Sequence, residues 1–392
     1  MKISLVVGSF YPAVVYGGPI YSTLNLCNKL AETGINIQVS STNANGKNRL
    51  TVKANCLIKL KENLYVKYYG WANKNAFSIP MLFNIGKDIK NSDLVYLHGI
   101  FSTYVPITLL CAKIKGKPVL LAPHGSLRNW CLQSGSRFKK IWLKYIIGPF
   151  SDSLYWHVTS VDEMLELKTL YRDAKIYCIP NGIDIEKYSV IKKISFQDYV
   201  KKFSNEDRKD GTIIISMGRL HRVKGFDILI DAFNLVKNKF PEAILFIAGE
   251  DAGEKNNLIK HVKKLNLEKR VFFVGHLSGQ EKIDFLANAD IFALASHSEN
   301  FGVVYGEALA AGTPVIASKH SPWKEVEKYD CGLWVDNSAE EFAKSIIKMF
   351  KENFKKKGAN GRKFVAGNFS LAPIAYQFQD LFELIIKTKI NT

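Results

Sequence analysis

The chain has 392 residues, enough for two ordinary domains at roughly 100–200 residues each. Hydrophobic residues make up 47% and charged residues 23%, proportions that exclude an intrinsically disordered or low-complexity chain. Lys and Arg outnumber Asp and Glu by 54 to 36, a net charge of +18, so an anionic partner is expected: nucleic acid, a phospholipid surface or a phosphorylated small molecule.

The opening MKISLVVGSFYP carries too short an apolar run for a signal segment and reads as a first strand. Further apolar runs predict strands over 35–40, 94–97, 119–122, 154–158 and 176–179, with mostly helical sequence between them. The scheme repeats with strands predicted over 213–217, 244–248, 271–274, 291–294, 315–317 and 333–335. Strands this uniformly apolar are covered on both faces, so the pattern is that of βαβ units in two parallel sheets. The expected class is α/β, with two Rossmann-like, doubly wound domains facing across a cleft.

The domain boundary is placed near 185, just after IPNGIDIEKY, where a charged, weakly periodic stretch precedes a fresh strand. This gives domains over 1–185 and 186–370. Residues 371–392 carry Ile374, Phe378, Leu381, Phe382, Ile385 and Ile386 at helical spacing, and are expected to pack back toward the first domain. No stretch reaches the roughly 18 apolar residues of a membrane span, the apolar run over 104–114 ending among Lys113, Lys115 and Lys117. Cys27, Cys56, Cys111, Cys131, Cys178 and Cys331 lie at least 20 residues apart, so no CxxC pair exists and reduced thiols are expected. A cytoplasmic protein follows, with room for peripheral attachment to the inner face of the membrane.

In open α/β sheets ligands bind outside the carboxyl ends of the strands, so chemistry is sought in the loops that follow them. After the strand at 291–294 comes SENFGVVYGEALAAGTPVIAS, with Glu299 in the loop and Glu307 within a helix that Gly302 begins. The free amides of that helix start suit phosphate oxygens, and Glu307, two turns in, suits the vicinal hydroxyls of a ribose. After the strand at 213–217 comes GRLHRVKG, in which Arg219 and Lys224 supply an arginine fork and a lysine charge for a diphosphate. After the first strand, GSFYPAVVYGG ends in Gly17 and Gly18, which let backbone amides approach a leaving phosphate or an acceptor.

Together with IPNGID, these motifs resemble the retaining nucleotide-sugar glycosyltransferases of family 4, which have the GT-B fold, over nearly the whole chain. By that resemblance Arg219 and Lys224 hold the pyrophosphate, Glu307 the ribose and Glu299 the hydroxyls of the donor sugar. The backbone of Asn300, Phe301, Gly302 and Val303 contacts sugar and phosphates, and His276 and Leu277 lie near the base. His124, in APHGSL after a strand, is implied near the donor sugar and the reacting centre, with its backbone carbonyl also in use. The catalytic set is then His124, Glu299, Arg219 and Lys224. His98, in YLHG, also ends a strand and is a candidate to face the acceptor.

No DxD motif and no metal-ligand spacing is present, so no metal or other cofactor is expected, and the diphosphate charge falls to Arg219, Lys224 and the helix start. Retention is implied by the resemblance, and no carboxylate nucleophile is identifiable, which favours front-face substitution in which the departing phosphate takes the acceptor's proton. The donor is a UDP-sugar in preference to a GDP-sugar on family frequency.

Residues 1–184 hold 22 Lys and Arg against 10 Asp and Glu, a net +12, leaving +6 for the remainder. From Leu94 to Ser151 there is no Asp or Glu. Within that stretch RFKKIWLKYIIGPF, from Arg137 to Phe150, combines basic and apolar residues as an interfacial helix on an anionic membrane does. This fits a saccharide acceptor linked to a polyprenyl diphosphate, as in bacterial surface polysaccharide assembly. A nucleic-acid partner is not expected, since no helix-turn-helix, RNA-recognition or zinc-finger pattern occurs. A nucleotide-sugar epimerase or an inactive scaffold of the same architecture are the alternatives, against which the filled Glu299, Glu307, Arg219 and Lys224 positions argue.

Overall fold

The computed structural model describes residues 1–70, 77–133 and 138–390. The chain forms two compact units, one of Met1–Gly182 with Leu371–Thr392 and one of Ile183–Ser370.

The first unit is built on an eight-stranded sheet of β1 (Lys2–Ser9), β2 (Asn36–Thr42), β3 (Leu57–Lys61), β4 (Leu64–Tyr69), β5 (Leu94–His98), β6 (Val119–Ala122), β7 (Leu154–Val158) and β8 (Lys175–Cys178). Its order is β8-β7-β6-β5-β1-β2-β4-β3. All neighbours are parallel except β3 and β4, an antiparallel hairpin at one edge.

That hairpin lies where the sequence reading expected helix. A continuous apolar run marks a strand covered on both faces, whereas β4, between β2 and the edge strand β3, alternates, with Leu64, Val66 and Tyr68 buried and Tyr65 and Lys67 half-buried. Asn63, in the left-handed region at φ 59°, makes the turn that closes it.

The central strands alternate between two cores. Leu5, Tyr96, Leu120 and Tyr155 face one, and Val6, Leu97, Leu121 and Trp156 face the other. The carboxy-terminal helix Leu371–Ile390 buries Ile374, Phe378, Leu381, Phe382 and Ile385 in the first of these cores. Phe378 is the anchor: its ring meets His157 at 4.9 Å, and Tyr96 and Phe382 at 5.9 Å each.

The segment expected to form one amphipathic helix from Arg137 to Phe150 is not a single helix. Arg137 lies outside the described residues. Phe138–Trp142 is α-helical, Leu143–Ile147 is a wider π turn and Gly148–Ser153 is 3-10. Three pins fix this irregular path. The Trp142 indole N–H donates to the Ile100 carbonyl at 2.8 Å, the Tyr171 hydroxyl donates to the Leu143 carbonyl at 2.9 Å, and Leu143 and Ile147 are buried.

The second unit carries β9 (Ile213–Met217), β10 (Ile244–Ala248), β11 (Val271–Gly275), β12 (Ile291–Leu294), β13 (Val315–Ser318) and β14 (Gly332–Val335). All pair in parallel in the order β11-β10-β9-β12-β13-β14. The direction of winding reverses between β9 and β12, and a sheet of this kind opens its ligand crevice at the carboxyl ends of the strands flanking that point. Five-residue runs such as IIISM and ILFIA are wholly buried, which is why both strands carry no polar alternation.

Because Phe378 fills the contact between the returning helix and the sheet, Phe378→Ala is expected to destabilise the first unit by about 3–5 kcal/mol, the range for a large aromatic truncated in a core. Urea unfolding followed by intrinsic fluorescence checks this; an unchanged midpoint would contradict the anchoring role.

Candidate active site

In the second unit, the loops after β9 and β12 are pressed together by glycines. Gly225 sits at φ 60°, and a Cβ there would lie 1.9 Å from the Ala295 carbonyl oxygen at the end of β12. The His297 N–H donates to the Val223 carbonyl at 2.8 Å, a second stitch between the same loops. Glycine is required at 225 on both counts, since a side chain meets both the left-handed backbone and the neighbouring carbonyl.

This approach brings Lys224 against Glu299. The ammonium and the carboxylate form a short ion pair, with the two side chains only 17% and 8% exposed. The Ser296 hydroxyl donates to the same carboxylate oxygen at 2.7 Å, and the Glu299 N–H donates to the His320 carbonyl at 3.0 Å, tying the loop to the segment after β13. Gly218, directly after β9, leaves room for the Lys224 stem, whose Cε would be 3.3 Å from a Cβ there. Arg219 follows and is exposed.

Helix Val303–Ala311 begins one loop further on, with Gly302 at φ 74° as its cap. The Trp323 indole N–H donates to the Phe301 carbonyl at 2.6 Å and holds the approach to the helix. The Asn300 side-chain oxygen is buried without a hydrogen-bond partner. Amides at a helix start point at whatever anion sits before it, and the helix dipole adds to their pull. Glu307, one turn along, accepts a 2.6 Å hydrogen bond from Lys282, on the helix Gly279–Ala287 that follows β11.

The structure thus gathers Lys224, Glu299, Asn300, Phe301, Gly302, Val303 and Glu307 at the carboxyl ends of β9 and β12. His276 and Leu277 lie beyond β11, on the far side of β10 from β9, and the helix that follows them carries Lys282, which reaches Glu307. His276 is exposed, while Leu277 is 7% exposed and belongs to the core. Its side chain is therefore committed to packing.

In the first unit Gly17 and Gly18 differ. Gly17 is held at φ 77° at the start of helix Gly18–Glu32, whereas a Cβ on Gly18 would meet nothing within 4 Å. Conformation demands the first glycine; neither conformation nor space demands the second.

His124 adopts φ 50°, uncommon for any residue but glycine, immediately after β6. Its ring meets that of His98 at 4.4 Å and that of His157 at 6.4 Å, so three histidines and Tyr96 form one cluster, in which His98, His157 and Tyr96 are buried and His124 is half-buried. The Nε2 atoms of His98 and His124 are buried without a hydrogen-bond partner. His157 is fixed: its Nε2–H donates to the Ile179 carbonyl at 2.8 Å, and its Nδ1 accepts from the Tyr96 hydroxyl at 2.8 Å. Burial pushes His157 down to about 4. Burial, with the His157 ring adding to it, pushes His124 down to about 3, and His98 is held well below the ordinary range by burial and both neighbours. The cluster is neutral at neutral pH, able to donate or accept hydrogen bonds without charge.

Sequence reasoning did not find Ser296, Lys282, Tyr96, His157 or Glu163. Ser296 and Lys282 carry no local signal, because their role is to pair with Glu299 and Glu307 across the fold. Glu163 did carry one: Ser160 to Glu163 has the spacing of a helix capping box, and the Ser160 hydroxyl accepts from the Glu163 N–H at 3.3 Å. The Glu163 carboxylate reaches beyond the box, to Thr159 and to Gly125. Among the described residues no group of three or more His, Cys, Asp and Glu side chains is placed to hold a metal ion.

Two Rossmann-like units, with a cation and carboxylates gathered beside a helix start in the second, define a nucleotide-sugar glycosyltransferase architecture. Family models agree: residues 16–187 match "Glycosyltransferase Family 4" and residues 199–363 match "Glycosyl transferases group 1". The chain belongs to the family 4 glycosyltransferases and has the GT-B fold.

Among its relatives, mannosylfructose-phosphate synthase of Agrobacterium fabrum is 35% identical over 37% of this chain and 33% of its own length. GDP-mannose:cellobiosyl-diphosphopolyprenol alpha-mannosyltransferase of Xanthomonas campestris is 24% identical over 68% of this chain and 65% of its own. The matched segments thus span between a third and two thirds of these relatives. Anabaena HepE, solved in complex with UDP-glucose, superposes with a TM-score of 0.75 at 21% identity, over 98% of this chain and 99% of that one.

The buried histidines set an acid limit. The unfolded chain binds protons at its histidines below about pH 6.5, but the folded state refuses them until about pH 4 at His157. That share of stability is therefore complete above pH 6.5 and is lost as pH falls toward 4, at about 1.4 kcal/mol per pH unit for each such histidine. Urea midpoints measured from pH 7 to pH 4 are expected to fall, and His157→Gln to flatten the slope by about one histidine's share. A slope unchanged in the variant would contradict the assignment.

Proposed function

We propose that the protein transfers a hexose-type sugar from a nucleotide diphosphate sugar, a UDP-sugar in preference to a GDP-sugar, to a hydroxyl of a saccharide acceptor with retention of configuration. The observation that carries this reading is the Lys224–Glu299 pair beside the start of helix Val303–Ala311, with Glu307 one turn on. Lys224 and Arg219 take the diphosphate, the helix amides assist them, Glu307 takes the ribose hydroxyls and Glu299 those of the sugar. His276 and the Leu277 backbone lie at the base. The UDP-glucose named in the HepE complex supports the donor class.

In the reaction the bond from the anomeric carbon to the leaving phosphate breaks, and the acceptor oxygen forms its bond on the same face. The acceptor's proton passes to the departing phosphate oxygen. The neutral His124 and its carbonyl face the oxocarbenium-like carbon, and His98 faces the acceptor. Growing negative charge on the diphosphate is met by Lys224, Arg219 and the helix start, so turnover is expected to continue in EDTA.

The acceptor is proposed to be a saccharide carried on a polyprenyl diphosphate, approached from an anionic membrane. The named substrate of the Xanthomonas relative supports the lipid link. Phe138, Ile141 and Tyr145 are 60%, 54% and 63% exposed, with Lys140 and Lys144 exposed among them. Lys113 lies over the Phe150 ring at 5.6 Å, which continues the basic face onto helix Tyr104–Ile114. No described helix is long and apolar enough to cross a membrane.

Thermal-shift titration with UDP, GDP, ADP and CMP tests the donor site: UDP is expected to raise Tm, and Glu307→Ala to abolish most of the shift. Equal shifts with all four, or an undiminished shift in the variant, would remove the assignment. For the membrane face, vesicles containing anionic lipid are expected to sediment the protein and neutral ones not to. Replacing Lys140 and Lys144 by Glu should weaken this more than tenfold, at about 1 kcal/mol for each lysine removed. Equal binding to both vesicle types would refute it.

A further inference from the structure

We propose that Glu163 is a positioning residue for the transfer reaction, fixing the His124–Gly125 peptide so that the His124 carbonyl is held in one direction; the inference rests on the role given above to His124. The Glu163 side chain is 1% exposed. One carboxylate oxygen accepts from the Gly125 N–H at 2.6 Å, and the other accepts from the Thr159 N–H at 2.9 Å and the Thr159 hydroxyl at 3.3 Å. Burial raises the Glu163 carboxyl above its ordinary range, and the N–H donors on both oxygens oppose this by favouring the ionised form.

The Gly125 N–H belongs to the same planar unit as the His124 C=O. That peptide is trans, so anchoring the N–H on Glu163 turns the carbonyl to the opposite side. The carbonyls on either side are engaged in the local turn, Pro123 accepting from Ser126 and Gly125 from Arg128, while His124's takes part in neither bond. His124 and Gly125 stand at φ 50° and 75°, two successive left-handed residues at the centre of the turn that the Ser126 N–H closes on the Pro123 carbonyl. Glu163 adds an anchor from outside the loop, on the one N–H that sets the His124–Gly125 peptide plane, and through Thr159 it ties the loop after β6 to the end of β7.

A carboxylate on the N–H also polarises the peptide, raising the negative partial charge on the His124 oxygen. A carbonyl so charged and so aimed stabilises a positive sugar carbon without reorganising during the reaction.

The test compares wild type, Glu163→Gln and Glu163→Asp for Tm, UDP affinity, kcat and donor KM. Glutamine must turn its NH₂ toward the Gly125 or Thr159 N–H. It is expected to lower kcat about a hundredfold, the scale of a small misplacement at a reacting centre, with UDP affinity within twofold of wild type. Aspartate, which keeps the charge on a shorter stem, is expected to fall between the two. A folded Glu163→Gln protein with kcat within twofold of wild type would overturn the proposal. Should that variant not fold, wild-type kcat in Glu163→Asp would overturn it. Wild type that turns over no nucleotide sugar would instead overturn the proposed function, and this inference with it.

Discussion

The close approach of Gly225 to Ala295 is the constraint on which the second unit's chemistry depends. A parallel sheet leaves its strand ends splayed, and loops after adjacent strands do not meet unless something small lets them. With no Cβ at 225, the backbone after β9 lies on the carbonyl that ends β12. Lys224 is thereby set over Glu299, and the lysine stem runs along Gly218. Gly249 repeats the device one strand over, where a Cβ would lie 1.7 Å from the Gly218 carbonyl. Its N–H donates to Gly275 at 2.7 Å, so the ends of β9, β10 and β11 are drawn into the same rim. The polar residues of the site stand on a framework of backbone contacts that tolerates almost no substitution.

Much of this was legible in the sequence because it is written locally. Short runs as apolar as ILFIA, or IIISM with its single Ser216, bounded by turn residues, read as strands covered on both faces. Motif residues that follow them, Arg219, Lys224, Glu299 and Glu307, fall at the carboxyl ends by construction. Gly302 reads as a helix start from its neighbours, and it is one.

What was not legible depends on distance in the chain. The β3–β4 hairpin has the alternation of a half-covered edge, a weaker signal than a buried run. The π turn at Leu143–Ile147 comes from where Trp142 and Tyr171 find carbonyls, not from the periodicity of the segment itself. Glu163 reads as a helix cap, and its partner at Gly125 lies 38 residues away. Lys282 and Ser296 are ordinary residues in sequence and acquire meaning only from the carboxylates they meet.

The two lysine–carboxylate pairs have a consequence for how a donor enters. In the structure described, Glu299 is held by Lys224 and Glu307 by Lys282. With the donor roles proposed above, arrival of a diphosphate and a ribose is a trade of partners: Lys224 gives up its carboxylate for a phosphate or stays in a three-way contact, and Glu299 and Glu307 gain hydroxyl donors. Each carboxylate already has a cation beside it before the ligand comes, which offsets its repulsion of incoming phosphates. A nucleoside without phosphates would have to win Glu307 from its lysine and offer nothing in return. On those proposed roles, the pairing favours ligands that carry both an anion and hydroxyls over those that carry only one.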